Sequence, residues 1–294
     1  MESDWVMKCR NLLSPALSLM ALVSSATAGI TFGPVRAQPG ESVHLVTHTA
    51  TPGGTLQKTT DGKSSSGSIF MIRDRDLVWT FRAPAADGTR RGMVRVNNLY
   101  SSTVTKIHGG KEEKTNDTSP LNGKMFAMSK TPAGDWKFEL DGSVPYSRIQ
   151  TEIDELTVYL KRNWYPDREV NVGDSWEFDP AWVKMIIQKD LSKAQTIGTM
   201  KLRQVRSSEK RRVAVIDITI HSTGADFQSD GSEVQASVEL TGQTIINLDT
   251  MLDESLELNG TVTTTSAKPG ESTKVTLPLK VVVNKSFTHD TANP

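Results

Sequence analysis

The sequence predicts a mainly β protein of the α+β class: a large curved antiparallel sheet or half-barrel covered by two mid-chain amphipathic helices. Three observations carry this expectation. Long stretches alternate apolar and polar residues with period two, turn dipeptides interrupt them at short intervals, and just two segments near the middle switch to helical spacing. Strands that follow one another with no helix between them pair antiparallel, because parallel pairing needs a long crossover.

The strands are justified by their stripes. Val234, Ala236, Val238 and Leu240 alternate with Glu233, Gln235, Ser237 and Glu239. Leu77, Trp79 and Phe81 do the same early in the chain, as do Trp136, Phe138 and Leu140, then Ile216, Ile218 and Ile220. The longest stripe runs Val275, Leu277, Leu279, Val281 and Val283. Each puts one apolar face toward a core and one polar face toward water. Between them, Pro52-Gly53-Gly54, Asp61-Gly62, Asp87-Gly88, Gly109-Gly110, Asp230-Gly231 and Pro269-Gly270 read as turns. Asn259-Gly260 reads as either a hairpin or a bulge, because Leu256, Leu258 and Val262 keep the alternation going through it.

The two helices are expected at 147–163 and 180–191. Ser147 and Gln150 form a capping box, and Ile149, Ile153, Leu156 and Leu160 share a face. Asp179 caps the second helix with Pro180 in its first turn, and Trp182, Val183, Met185, Ile186 and Ile187 make it strongly apolar.

The N-terminus addresses the chain. Lys8 and Arg10 precede an apolar run from Leu12 to Val23 that ends in Ala26-Thr27-Ala28, the three parts of a secretory signal peptide. Cleavage after Ala28 is expected, leaving an exported β-rich domain of 29–294, with sub-halves 29–163 and 164–294 as the alternative division. The expected location is the periplasm or the medium outside a bacterial cell. The apolar run is shorter than the ~20 residues of a spanning helix, and no other run approaches that length, so no transmembrane segment is expected after cleavage.

Charge and cysteine content exclude several classes. Lys and Arg number 34 and Asp and Glu 34. The leader removes two of each sign, so the exported part is neutral and has no overall attraction for nucleic acid. The one cysteine, Cys9, lies in the leader, which excludes disulfides, thiolate nucleophiles and Cys-based metal sites from the rest. Arg90-Arg91 and Lys210-Arg211-Arg212 sit beside turn signals and read as solvated loops.

Catalytic constellations do not assemble in the sequence. His44 and His48 lie on an expected strand, where four residues span ~13 Å, too far to share one tetrahedral metal. Ser207-Ser208-Glu209-Lys210 fits a Ser-x-x-Lys pattern but falls in a turn between strands. No phosphate loop, calcium loop or dinucleotide fingerprint is present, so neither a cofactor nor a metal is expected. The densest acidic stretch, Asp167, Glu169, Asp174, Glu177 and Asp179, lies among Trp164, Tyr165, Trp176 and Trp182. It leaves a carbohydrate-active hydrolase as the alternative function, since two carboxylates across an open cleft are what glycoside hydrolysis needs.

The segment Tyr165-Pro166-Asp167-Arg168-Glu169-Val170-Asn171-Val172-Gly173-Asp174-Ser175-Trp176 resembles the Tyr-Pro … Val-Gly-Asp-x-Trp stretch of uncharacterised exported bacterial proteins. That resemblance implies no active-site residues. Physically, the motif is a tight turn that delivers an anchoring aromatic. In layout alone, a curved sheet under covering helices is similar to half-barrel carriers of lipids or lipoproteins, which implies an apolar cargo. The expected function is therefore a non-enzymatic binding or envelope protein. It would hold an apolar small molecule, a lipid or a partner's apolar segment, with Trp164, Trp176, Trp182, Met185 and Ile186 lining or gating the site.

Overall fold

The computed structural model describes residues 29–132, 136–140, 150, 153, 164–180, 195–208, 211–228 and 230–288. The first half of the chain supplies β1 (Ser42–Thr60), β2 (Lys63–Arg82), β3 (Arg90–Ile107), β4 (Glu112–Thr118), β5 (Met125–Lys130) and β6 (Trp136–Leu140). The second supplies β7 (Ser175–Phe178), β8 (Gln195–Ser208), β9 (Arg211–Phe227), β10 (Glu233–Asn247), β11 (Leu252–Lys268) and β12 (Glu271–Thr288). All twelve join one antiparallel sheet in the order β6-β5-β3-β2-β1-β12-β11-β10-β9-β8-β7, with β4 sharing the outer edge of β3 with β5. The first half builds outward from β1 and the second builds inward to β12. Pairing of β1 with β12 joins the two meanders at the centre.

The strands are long because the alternation is long. β2 runs for 20 residues and closes on β1 through Asp61-Gly62, both with positive φ, which a two-residue hairpin requires. The apolar stripes all fall on one face. Ile216, Ile218 and Ile220 of β9, Leu240 of β10, Leu258 of β11, Val283 of β12, Leu45 of β1 and Leu77 of β2 are buried there. The opposite face carries charge pairs, among them Lys280–Glu257 at 3.0 Å and His44–Asp76 at 2.9 Å.

The α+β class is corrected. Among the described residues nearly everything is strand, and no helix covers the sheet. Of 147–163 and 180–191, only Gln150, Ile153 and Pro180 belong to the described residues, and the remainder lies outside them. Gln150 and Ile153 have helical backbone, and Ile153 is buried. Helical periodicity reports an apolar stripe and does not say which surface that stripe meets. One end of the inner face is closed instead by the segment that follows residue 28. Ile30 pairs with Val170 through 2.8 and 2.9 Å hydrogen bonds, and Ile30 and Phe32 are buried.

Two turn expectations are also corrected. Pro52-Gly53-Gly54 is a bulge inside β1, where pairing with β12 skips from Ala50 to Thr55. Pro278 of β12 occupies the facing stretch, so a residue without an N–H sits in a central strand where its neighbour has turned away. Asn259-Gly260 lies in the interior of β11, with Gly260 opposite Leu240 and Gly242 opposite Leu258. A Cβ on Gly260 would stand 1.8 Å from the Glu239 carbonyl oxygen, and one on Gly242 would stand 1.8 Å from that of Glu257. The two glycines let β10 and β11 approach and coil more tightly than side chains allow.

Candidate ligand-binding site

The site lies at the end of the sheet where β1 and β3 begin and β2, β5 and β12 end. Residues 33–39 cross this end as a strap. Arg36 N donates to Thr250 O at 2.7 Å, and Gly40 N donates to Phe81 O at 2.8 Å. Pro34 and Pro39 fix backbone torsions within it. Upstream, Phe32 anchors the strap against Tyr165 and Trp176, with ring centroids 4.8 and 5.9 Å apart. Between strap and inner face is a cavity of about 490 Å³.

Its floor is apolar because of strand parity. Trp79 and Phe81 continue the inward stripe of Leu77 on β2, and Val43 precedes Leu45 on β1. Met128 of β5 lies opposite Gly92 of β3, where a Cβ would stand 2.4 Å from the Met128 methyl carbon. Leu252 and Tyr165 complete the apolar surface.

The charges are one-sided. Lys285 ends the inward row of Leu279, Val281 and Val283, and its Nζ donates to Asp253 Oδ2 at 2.5 Å. The two side chains are 2% and 16% exposed. Arg36, Arg82, Arg90, Arg91 and Lys130 also line the cavity, and among the described residues Asp253 is the one carboxylate that does. Among the described residues no ion pair engages Arg82, Arg90 or Arg91. Burial, and then the neighbouring Arg90 guanidinium, lower the pKa of Lys130 from the usual lysine value.

The sequence-based site residues fall differently. Trp164 and Trp176 are buried in the core, where Trp176 Nε1 donates to Trp164 O at 2.8 Å. Their neighbour Tyr165 forms the cavity wall instead. Trp182, Met185 and Ile186 lie outside the described residues. The Val-Gly-Asp-x-Trp segment is the expected turn with its anchor. Asn171 N donates to Asp174 Oδ2 at 3.0 Å, Gly173 N donates to Leu202 O at 2.8 Å, and Trp176 follows into β7.

The acidic stretch lines no part of this cavity. Asp167, Glu169, Glu177 and Asp179 are exposed, and Asp174 is committed to its turn. His44 and His48 sit on the outer face, each against its own aspartate, Asp76 at 2.9 Å and Asp74 at 2.6 Å. Arg90-Arg91, which reads as a solvated loop, opens β3 at the cavity. A signal existed in its apolar-to-basic sequence neighbour, Trp79 to Arg82, but the partners Met128, Lys130 and Lys285 are distant in the chain.

No family model matches the chain, and no curated relative matches it. Among solved structures it is similar to Pseudomonas aeruginosa OccK7 (OpdD) at 7% identity and a TM-score of 0.27, over 85% of this chain and 100% of that one. The COG4313 outer membrane channel from Pseudomonas putida F1 matches at 9% identity and a TM-score of 0.22, over 87% and 100%. DynF of the dynemicin biosynthesis pathway of Micromonospora chersina matches at 6% identity and a TM-score of 0.20, over 89% and 90%. Likenesses this distant carry no argument about function.

Proposed function

We propose that this chain is an exported, non-catalytic binding protein that takes an apolar ligand between the strap 33–39 and the inner face of the sheet. The observation that carries the reading is the cavity. Its volume of about 490 Å³ falls inside the range of about 300–1,000 Å³ common to small-molecule sites. The floor of Val43, Trp79, Phe81 and Met128 offers apolar surface that a hydrocarbon chain would take out of water, at about 0.8 kcal/mol per methylene. The signal-like N-terminus supports a place outside the cytoplasm of a bacterium, and N-terminal sequencing of exported material should read from Gly29.

The experiment is a titration with N-phenyl-1-naphthylamine, whose fluorescence rises on entering an apolar site. Wild-type protein should give a saturable rise. Met128→Trp, with its folding checked by thermal melting, should abolish that rise by filling the cavity. No saturable rise in wild type, or an unchanged one in the folded variant, removes the reading.

A further inference from the structure

Resting on the reading that a leader is removed after Ala28, we infer that Glu169 is the docking group for the α-ammonium which that removal creates on Gly29, so that processing itself fastens the roof of the cavity. The juxtaposition is one carboxylate folded over the residue that becomes the chain terminus. A Cβ on Gly29 would stand 2.1 Å from Glu169 Oε1 and 2.5 Å from the Glu169 carboxyl carbon. In a tetrahedral residue the nitrogen lies about 2.5 Å from the Cβ position, so the carboxylate oxygen is within about 4.6 Å of the Gly29 nitrogen. A rotation of the glutamate side chain closes that gap to an ion pair.

The two residues meet for a structural reason. Ile30 and Val170 exchange backbone hydrogen bonds of 2.8 and 2.9 Å in an antiparallel bridge, and both side chains are buried. Their chain neighbours therefore point the other way, which puts Gly29 and Glu169 on one face. A residue without a Cβ leaves that space to the carboxylate. Glu169 is exposed, and among the described residues no hydrogen bond or ion pair engages its carboxylate. Arg168, next to it in sequence, turns its guanidinium to the Glu169 carbonyl at 3.1 Å and to Asp174 at 3.5 Å instead.

Before processing, the Gly29 nitrogen is a neutral amide. Hydrolysis breaks its bond to the Ala28 carbonyl carbon. Water gives its hydroxyl to that carbon and a proton to the nitrogen, and the new amine takes a further proton from solvent. With an ordinary α-amino pKa of about 7.7–8.0 it is a cation at pH 7. A cation then faces a carboxylate that was unmatched. The pair lies just ahead of Phe32, whose ring packs against Tyr165 and Trp176 at the upstream end of the strap. Processing thus adds an anchor to the segment that roofs the cavity.

The test is a two-by-two comparison. The processed chain beginning at Gly29 is set against one that keeps Thr27-Ala28 ahead of it, each with Glu169 and with Glu169→Gln. Melting temperature and the rate at which an aminopeptidase releases the first residue are read on all four. In the processed chain, Glu169→Gln should lower the melting temperature by about 1–3 °C and speed release by about two- to fivefold, the size of an exposed ion pair. Both effects should shrink as added salt screens the pair. In the chain that starts at Thr27 the substitution should change neither, because the ammonium stands two residues away. That chain, with no substitution at all, should melt below the processed one. Equal effects of Glu169→Gln in both chains, or none in either, overturn the ammonium dock and leave the export reading and the ligand cavity standing. N-terminal sequencing of exported material that reads a residue other than Gly29 overturns the inference together with the export reading. Saturable binding of N-phenyl-1-naphthylamine is independent of both outcomes.

Discussion

Lys285 Nζ and Asp253 Oδ2 meet at 2.5 Å where β12 runs beside the start of β11, with the lysine side chain 2% exposed. The pair closes the cavity wall at the end of an otherwise aliphatic row. Removing one partner of a buried ion pair weakens the compensation of the other charge, a loss of up to roughly 3–5 kcal/mol. Asp253→Ala should therefore lower the urea midpoint more than Lys285→Met/Asp253→Leu, in which both charges are gone. Equal loss in single and double variants would show that the pair does not act as a unit.

The glycines Gly242 and Gly260 face each other's strands across the β10–β11 ladder, each with a carbonyl oxygen 1.8 Å from where a Cβ would stand. Neither neighbour can give way without breaking register. Gly242→Ala and Gly260→Ala should each destabilise by about 3 kcal/mol or more, at or above the upper end of ordinary overpacking. Gly53→Ala tests a different feature, a positive φ in open space, and should cost about 1–2 kcal/mol. Thermal melts of the three variants rank them, and a mild effect at Gly242 or Gly260 would contradict the close approach.

Trp176 anchors the turn at Asp174 to the core and donates to the Trp164 carbonyl. Trp176→Phe removes that donor and should cost about 0.5–1.5 kcal/mol, the usual net worth of such a hydrogen bond. Because Tyr165 and not Trp176 lines the cavity, N-phenyl-1-naphthylamine should bind the folded variant with unchanged affinity. A large affinity loss with unchanged stability would return Trp176 to the ligand site.

Acid should weaken the hairpin end of the sheet. Hydrogen bonds from Lys58 and then Lys268 hold the Glu271 carboxyl below its usual pKa of 4.5, and Lys280 does the same for Glu257. A lowered folded pKa means stability present above the unfolded value and lost as pH falls through the folded one. Denaturation midpoints measured from pH 6 down to about pH 3 should fall less steeply in Glu271→Gln than in wild type. Parallel curves would show that these exposed pairs contribute nothing measurable. On the alkaline side, Glu271 and Asp230 raise the pKa of Lys268, so that contribution is complete below 10.5 and fades above it.

Most of the sheet was legible in the sequence because strand alternation is a local signal. The stripes at 77–81, 216–220, 234–240 and 275–283 all become strands with the expected inward face. The Asp61-Gly62 hairpin was legible for the same reason, since the turn chemistry sits in two adjacent residues. The bulge at Pro52-Gly53 was not, because the register shifts that define it lie against β2 and β12, on other strands of the ladder. Gly260 likewise takes its meaning from Gly242 and the Glu239 carbonyl opposite. The cavity was hidden more deeply. Its floor draws on three strands and its roof on the segment after residue 28, so no window of sequence contains Trp79, Met128, Arg36 and Lys285 together. Aromatic density instead pointed to Trp164 and Trp176, which the structure places in the core.

The most direct measurement is methyl NMR of the full exported chain labelled at methionine and titrated with N-phenyl-1-naphthylamine. Met128 and Met251 line the cavity, whereas Met200 is fully buried in the core away from it. The expected result is a saturable shift of the Met128 and Met251 methyls, with Met200 little changed. Saturable binding that leaves Met128 and Met251 unmoved, or no saturable shift at any methyl, would contradict a ligand held between the strap and the sheet.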